Sequence, residues 1–190
     1  MDPIEILQQH HNPDSPLFKI LLVHGQQVSE KALQIARSVR YLNPDMTLIY
    51  EAAMLHDIGI GECCAPPIGC NGPNPYVCHG ILGRKILEKK GLFHHALVCE
   101  RHVAVGITAS EIESRNLPLP VRDMLPVTIE EKIICYADKF FSKNGLVAHE
   151  KTIAEIISGL SPYGMDQVMR FHALDQLLGQ TGQLKKTCHR

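Results

Sequence analysis

Apolar positions recur along most of this chain every three or four residues, the spacing of helices that bury one face. Residues 16–40 read as one long helix with the stripe Leu17, Leu21, Val28, Ala32, Ile35 and Val39, and His24 falls inside that stripe. Asn43-Pro44-Asp45 ends it and starts a second helix over residues 45–57, with Leu48, Ile49, Ala52, Ala53 and His56 on one face. Helical pattern returns from His79 to Lys90, where Gly91 is a C-cap. Residues 93–102 place His95, Val98, Cys99 and His102 on one side, and residues 108–115 start at a Thr108 or Ser110 cap. A proline-bearing connector, 117–127, leads to a helix over 128–142. Thr128 and Glu131 there have capping-box spacing, and Ile134, Ala137, Asp138 and Phe141 face inward. After Gly145 two more amphipathic helices follow, near 149–159 and 162–178; Leu174, Leu177 and Leu178 give the last a core- or partner-facing stripe.

Residues 58–78 break the pattern. Pro66, Pro67, Gly69, Gly72, Pro73 and Pro75 crowd a stretch that reads as a long irregular loop able to close over a site. Two-residue alternation bounded by hairpin turns is not sustained anywhere, so strands are expected to be scarce. The expected fold class is all-α, a single helical bundle over residues 16–145. An N-terminal segment, 1–15, precedes it, and a C-terminal helical extension of the same domain, 146–190, follows.

Composition narrows the partners. The 190 residues suffice for one domain with a real core, and 45% apolar with 21% charged residues is a globular balance. A formal net charge of −1 offers no basic excess for nucleic acid, and aromatic content of 5% without Trp offers no base-stacking platform. No run approaches the ~18 apolar residues that span a bilayer, and Met1-Asp2-Pro3-Ile4-Glu5 lacks the basic and apolar regions of a secretory signal. A cytoplasmic protein with neither nucleic-acid nor membrane partners is the expectation. The seven cysteines are then free thiols rather than a disulfide framework. Cys63, Cys64, Cys70 and Cys78 gather in or beside the irregular loop, at spacings unlike the paired cysteines of zinc sites. Cys99 and Cys135 read as small core residues.

Histidine is abundant, at 11 residues, and its placement carries the chemistry. His24, His56-Asp57, His102 and Asp138 fall on or beside apolar helical faces, and His79 opens a helix after the loop. A lone His on such a face is ordinarily a satisfied core residue. A carboxylate such as Asp57 in apolar surroundings, however, costs several kcal/mol unless a partner neutralises it. These residues are the best partners available to one another, and one or two divalent cations would satisfy them together. A His/Asp set without Cys suits iron, manganese, cobalt, nickel or zinc better than calcium or magnesium. Two cations sharing a carboxylate can activate water and hold the attacking and leaving oxygens of a displacement at phosphorus.

The ordered set His24, His56-Asp57 and Asp138 resembles the H…HD…D pattern of the HD superfamily of metal-dependent phosphohydrolases, in its HDIG form, His56-Asp57-Ile58-Gly59. His79 with Gly80 and Gly83, and Arg101-His102, resemble the two extra histidines of dimetal members. Those members include the HD-GYP cyclic-dinucleotide phosphodiesterases and the HD-type symmetrical diadenosine tetraphosphate hydrolases. The stretch from Glu131 to Asp138 is similar to the last ligand helix of the latter. The likeness covers residues 16–145 and is strongest to uncharacterised HDIG proteins of archaea and anaerobic bacteria. It implies a first metal held by His24, His56, Asp57 and Asp138 and a second held by His79 and His102, with Asp57 bridging. Asp57, His79, Arg101 and Lys139 are the candidate catalytic residues, and iron is the favoured ion for this donor set. The implied substrate is a small phosphorylated compound, a nucleotide first, attacked by metal-activated water. Two departures stand out. Ile60 occupies the position where many HDIG proteins have Lys, and the GYP element is missing, with only His102 where those proteins carry a pair. Cyclic di-GMP is therefore disfavoured.

Arg84, Lys85, Arg101, Lys139 and Lys143 are candidate phosphate binders, with Arg101 and Lys139 ahead because each adjoins a candidate ligand. His95 is a candidate extra ligand or supporting group; His10, His11, His94, His149, His172 and His189 read as surface or packing residues. A metal-dependent phosphohydrolase is the expected function. Ile60 motivates a rival, a metal-containing nucleotide-binding module with little turnover. A third reading is an oligomeric scaffold, such as a homodimer built on the C-terminal helices, in which the metal is structural.

Overall fold

Capping residues and prolines set where the helices begin. In the computed structural model, which describes residues 1–143 and 149–179, Asp2 caps α1 (Pro3–His10) through Ile4 N–H and Ser15 caps α2 (Pro16–Ser38) through Phe18 N–H. Both helices have proline in the first turn, where no amide donor is needed. Asp45 accepts from the Thr47 and Leu48 amides and starts α3 (Met46–Leu55). There follow α4 (His79–Glu88), α5 (Phe93–Arg101), α6 (Ala109–Ser114), α7 (Ile129–Asp138), α8 (Ile153–Leu160) and α9 (Met165–Leu178). The all-α expectation holds: strand is confined, among the described residues, to the two-residue pair β1 (Cys64–Ala65) and β2 (Cys70–Asn71), antiparallel with Cys64 opposite Asn71. None of the described helices is long and apolar enough to cross a membrane. The Gly145 break and His189 lie outside the described residues.

The main core joins α2, α3, α7, α8 and α9 through Val28, Ala32, Ile49, Ala53, Ile134, Ile156 and Phe171. Leu174 and Leu178 are buried in it and Leu177 packs against it, so the C-terminal stripe faces the core. A second cluster, including Leu7, Phe18, Leu55, Leu87 and Cys99, packs α1 and α5 beneath α3 and α4. Within the N-terminal segment, 1–15, α1 has no counterpart in the sequence pattern, because eight residues are too few to display a helical period; Asp2-Pro3 is its signal.

Two boundaries matter for the site. The second helix ends at Leu55, not at 57: His56 is its C-cap, and Asp57 turns out of helical geometry at φ −104° and ψ 8°. The irregular stretch 58–78 is also more ordered than its prolines suggest. It holds short 3-10 turns and the β-pair, and buries Ile58, Ile60, Cys63, Ile68, Cys70 and Cys78. It forms a packed wall of the site.

Candidate metal centre

His24 comes from the middle of α2, where its stripe faces α3 and α7, and is 2% exposed. The other candidate ligands stand at helix ends. His56 and Asp57 follow α3, His79 opens α4, His102 caps α5, and Asp138 ends α7. All are buried.

A local rule sets three of the rings. Each donates Nδ1–H to the carbonyl three residues earlier: His56 to Ala53 at 2.6 Å, His79 to Tyr76 at 2.7 Å and His102 to Cys99 at 2.8 Å. A carbonyl can only accept, so Nδ1 holds the proton and the Nε2 of a neutral ring is a lone pair. Such outer hydrogen bonds orient histidines for metals. All three Nε2 atoms point at Asp57.

Asp57 divides its carboxylate between two sets of rings. Oδ2 lies 3.4 Å from His24 Nε2 and 3.3 Å from His56 Nε2, while Oδ1 lies 3.4 Å from both His79 Nε2 and His102 Nε2. Asp138 completes the first set, with Oδ1 3.0 Å from His24 Nε2 and 3.4 Å from His56 Nε2. Asp57 Oδ1 and His56 Nε2 are buried without a hydrogen-bond partner, and Asp57 Oδ2 meets the Lys143 ammonium at 2.8 Å. Leaving such groups unmade is costly, and a cation on either side of Asp57 would satisfy them. Two ligand-capable groups have atoms close enough to share an ion, His24/His56/Asp138 and His56/Asp57/His102. The donor set fits one or two divalent transition metals, and no cysteine belongs to either group.

Burial disfavours every charge here, and proximity decides which survive. It pushes His79 down to about 3 and His24 down to about 4, so both rings are neutral. His56 feels the same burial, yet Asp57 and Asp138 outweigh it and lift it to about 9. Burial pushes Asp57 up, but His56 and Lys143 hold it well below the carboxylate range. Lys143 Nζ sits 2.8 Å from Asp57 Oδ2, and Lys139 Nζ donates to Asp138 Oδ2 at 2.7 Å and to the His102 carbonyl at 3.1 Å.

The other sequence candidates go elsewhere. Arg101 Nη1 spans both oxygens of buried Glu131 at 2.9 Å, and Arg101 lines neither cavity described below. His95 pairs with Glu51 at 3.1 Å, and Arg84 is held by Glu88 and Glu100. His11 packs its Nε2 on the Ile58 carbonyl at 2.9 Å. Cys99 and Cys135 are fully buried. Ile60 lies in an apolar cluster with Leu17, Leu21 and Ile68, so its side chain contributes to the core.

Two cavities adjoin the centre and share Asp138, Lys139, Lys143, Tyr76 and Leu160. The first, about 410 Å³, carries Lys151, Ser142 and Glu155. The second, about 420 Å³, reaches His79 and His102 and is walled by Val77, Val103, Ile107 and Leu117. Tyr76 went unnoticed in the sequence, although its place three residues before His79 matches the ring-to-carbonyl spacing seen at His56 and His102.

A helical bundle that turns histidines and aspartates inward from its helix ends defines a class of metal-binding domain. The chain belongs to the HD domain family, whose sequence pattern matches residues 21–143. It is 35% identical over 118 residues to an uncharacterized protein of Methanocaldococcus jannaschii, covering 60% of this chain and 62% of that protein. It is also similar to two enzymes named tRNA (cytidine(56)-2'-O)-methyltransferase. Identity is 32% over 129 residues for that of Picrophilus torridus, covering 67% of this chain and 33% of the enzyme. It is 31% over 123 residues for that of Thermoplasma volcanium, covering 64% and 32%. The chain thus spans less than two thirds of the first relative and about a third of the other two, and the methylation belongs to those enzymes. No solved structure gives a significant match.

Proposed function

We propose that this chain is a metal-dependent phosphohydrolase acting on a small phosphorylated substrate, with a nucleotide the first choice. The observation that carries the reading is the divided carboxylate of Asp57, each oxygen facing its own pair of imidazole nitrogens. His24, His56, Asp57 and Asp138 would hold one ion, and His79 and His102 with Asp57 a second. Iron is favoured by the His/Asp donor set, with manganese, zinc, cobalt or nickel as alternatives. Bound divalent ions supply activation of water and neutralisation of charge at phosphorus.

The chain's own residues do the rest. The carbonyls of Ala53, Tyr76 and Cys99 keep the imidazoles in one tautomer and one direction. Lys139 fixes the free oxygen of Asp138 and so orients its other oxygen. Lys143, at the border of both cavities, is the cation best placed to leave Asp57 for an entering phosphate. It would supply the phosphate contact for which many HDIG proteins have a lysine at position 60, where this chain buries Ile60. Arg101 acts behind the site, tying α5 to α7 through Glu131.

The test is anaerobic purification, element-resolved metal analysis and assay with p-nitrophenyl phosphate and bis(p-nitrophenyl) phosphate. About two transition-metal ions per chain with turnover of either ester is the expected result. Metal content near zero that added metal does not restore overturns it. Ile60 keeps the nucleotide-binding module as a second reading, favoured if metal-loaded protein binds nucleotides but turns over no ester.

A further inference from the structure

The two cavities beside the metal centre differ in chemistry. Lys139 and Lys143 border both; the first adds Lys151, Ser142 and Glu155, a setting for polar groups and water. The second adds the aliphatic side chains Val77, Val103, Ile107 and Leu117 on one side of His79 and His102, and is closed by Leu160, Tyr163 and Gln167. Those three residues lie past the segment that matches the HD domain family, 21–143. At about 420 Å³ this cavity falls in the ~300–1,000 Å³ range of small-molecule sites and exceeds what a bare phosphate fills.

Its walls are fixed. Gln167 uses its whole amide on the backbone and α6: its oxygen accepts from Val105 N at 2.8 Å, and its nitrogen donates to Gly106 O at 2.9 Å and Glu111 at 3.1 Å. Arg170 donates to the Val105 and Gly106 carbonyls and to both Glu111 oxygens. These bonds hold the segment after His102 against α9, including Ala104, which lines the cavity at φ +52°. At the mouth, the Arg115 guanidinium lies over the Tyr163 ring, 5.9 Å from its centre, and donates to the Tyr163 carbonyl at 3.2 Å. A ring steadied by a cation on one face is a stacking surface for a flat group. Tyr76, on the metal side, offers a second ring.

We propose that this cavity is the leaving-group subsite. It takes a flat aromatic group esterified to the phosphate, and Tyr163 with Leu160 sets the preference. The proposal rests on the phosphohydrolase reading, because the phosphate must lie at His79 and His102 for the aromatic group to reach Tyr163.

Calorimetric titration of manganese-loaded protein with phenylphosphonate and methylphosphonate tests it. Neither carbon–phosphorus bond is hydrolysed, so the readout is independent of turnover. The wild type is expected to bind phenylphosphonate at least tenfold more tightly than methylphosphonate. Tyr163 is 54% exposed, so Tyr163→Ala spares the core; the ratio should fall to threefold or less, and Tyr163→Phe should keep it. Equal binding of the two phosphonates by the wild type overturns the subsite and leaves the hydrolase reading standing. An unchanged ratio in Tyr163→Ala overturns the role of Tyr163. Failure of both phosphonates to bind while manganese is bound overturns the subsite and the hydrolase reading together.

Discussion

His79 and His102 present their Nε2 atoms to each other at 3.1 Å, each with Nδ1–H already given to a carbonyl. Burial lowers the pKa of both rings, so at neutral pH neither Nε2 carries a proton to share. Two lone pairs then face each other beside Asp57 Oδ1, a contact that repels until a cation enters it.

That contact predicts a divisible metal site. His102→Ala removes one side of it and leaves His24, His56 and Asp138 intact. Metal content should drop from about two ions per chain to about one, with ester hydrolysis reduced on the order of 100-fold or more, since even outer-shell changes cost 10–100-fold. Element analysis of both proteins checks this. Two ions retained in the variant would place the second ion elsewhere.

Lys143 occupies the opposite edge of Asp57, at Oδ2. An ammonium group and a metal ion cannot both dominate that oxygen, so the two compete. Lys143→Met should destabilise chelated protein by ~1.5–3 kcal/mol, the range for a lost hydrogen bond to a charged group. Its metal affinity should hold or rise, while KM for a phosphodiester increases about tenfold. Denaturant unfolding, metal titration and steady-state kinetics read the three effects. A fall in metal affinity would make Lys143 a support for the metal rather than its competitor.

How much of this could be read from the chain depends on whether a residue's direction follows from local geometry. The meeting of His24, His56, Asp57, His79, His102 and Asp138 was legible because each sits on an apolar helical face or at a helix end. The helices themselves were legible from caps such as Asp45 and Thr108. Adjacency in sequence misled at Arg101: it neighbours His102, but successive helix residues point apart, and its guanidinium turns to Glu131. The same pair changed the capping box. Thr128 caps the Glu131 amide, whereas the Glu131 carboxylate goes to Arg101 and Val127 N. Lys143 is a candidate from its place five residues after Asp138, whereas Tyr163 reaches the second cavity only through tertiary packing, which periodicity does not encode.

Glu111 gives a pH dependence away from the metals. Burial pushes its pKa up, but the Thr108 amide and Arg170 outweigh burial and hold it below its usual 4.5. A carboxylate with a depressed folded pKa stabilises fully above its unfolded value and loses that contribution as pH falls through the folded one. Glu111→Gln should therefore cost about 1.5–3 kcal/mol at pH 7. The gap to wild type should narrow as pH drops below 4.5. Urea unfolding at pH 7 and at acid pH measures it. A gap independent of pH would assign the cost to packing alone.

Gly59 links the HDIG turn to the second half of the site. A Cβ there would lie 2.2 Å from Gly83 N and 2.3 Å from His79 O, so α4 can approach the turn only because Gly59 lacks a side chain. The atoms in the way are backbone and cannot yield by changing rotamer. Gly59→Ala should cost at least the ~1–3 kcal/mol typical of overpacking, and the relief open to it is movement of α4. That movement carries His79 away from Asp57, so the variant should lose the second ion as well as stability. Gly159→Ala is the matched control: it lies within α8 with nothing within 4 Å of its Cβ, and should stabilise by about 0.5–1 kcal/mol. Thermal unfolding with metal analysis separates the outcomes. A Gly59→Ala protein that is destabilised yet keeps two ions would show that the turn supports the fold without positioning His79.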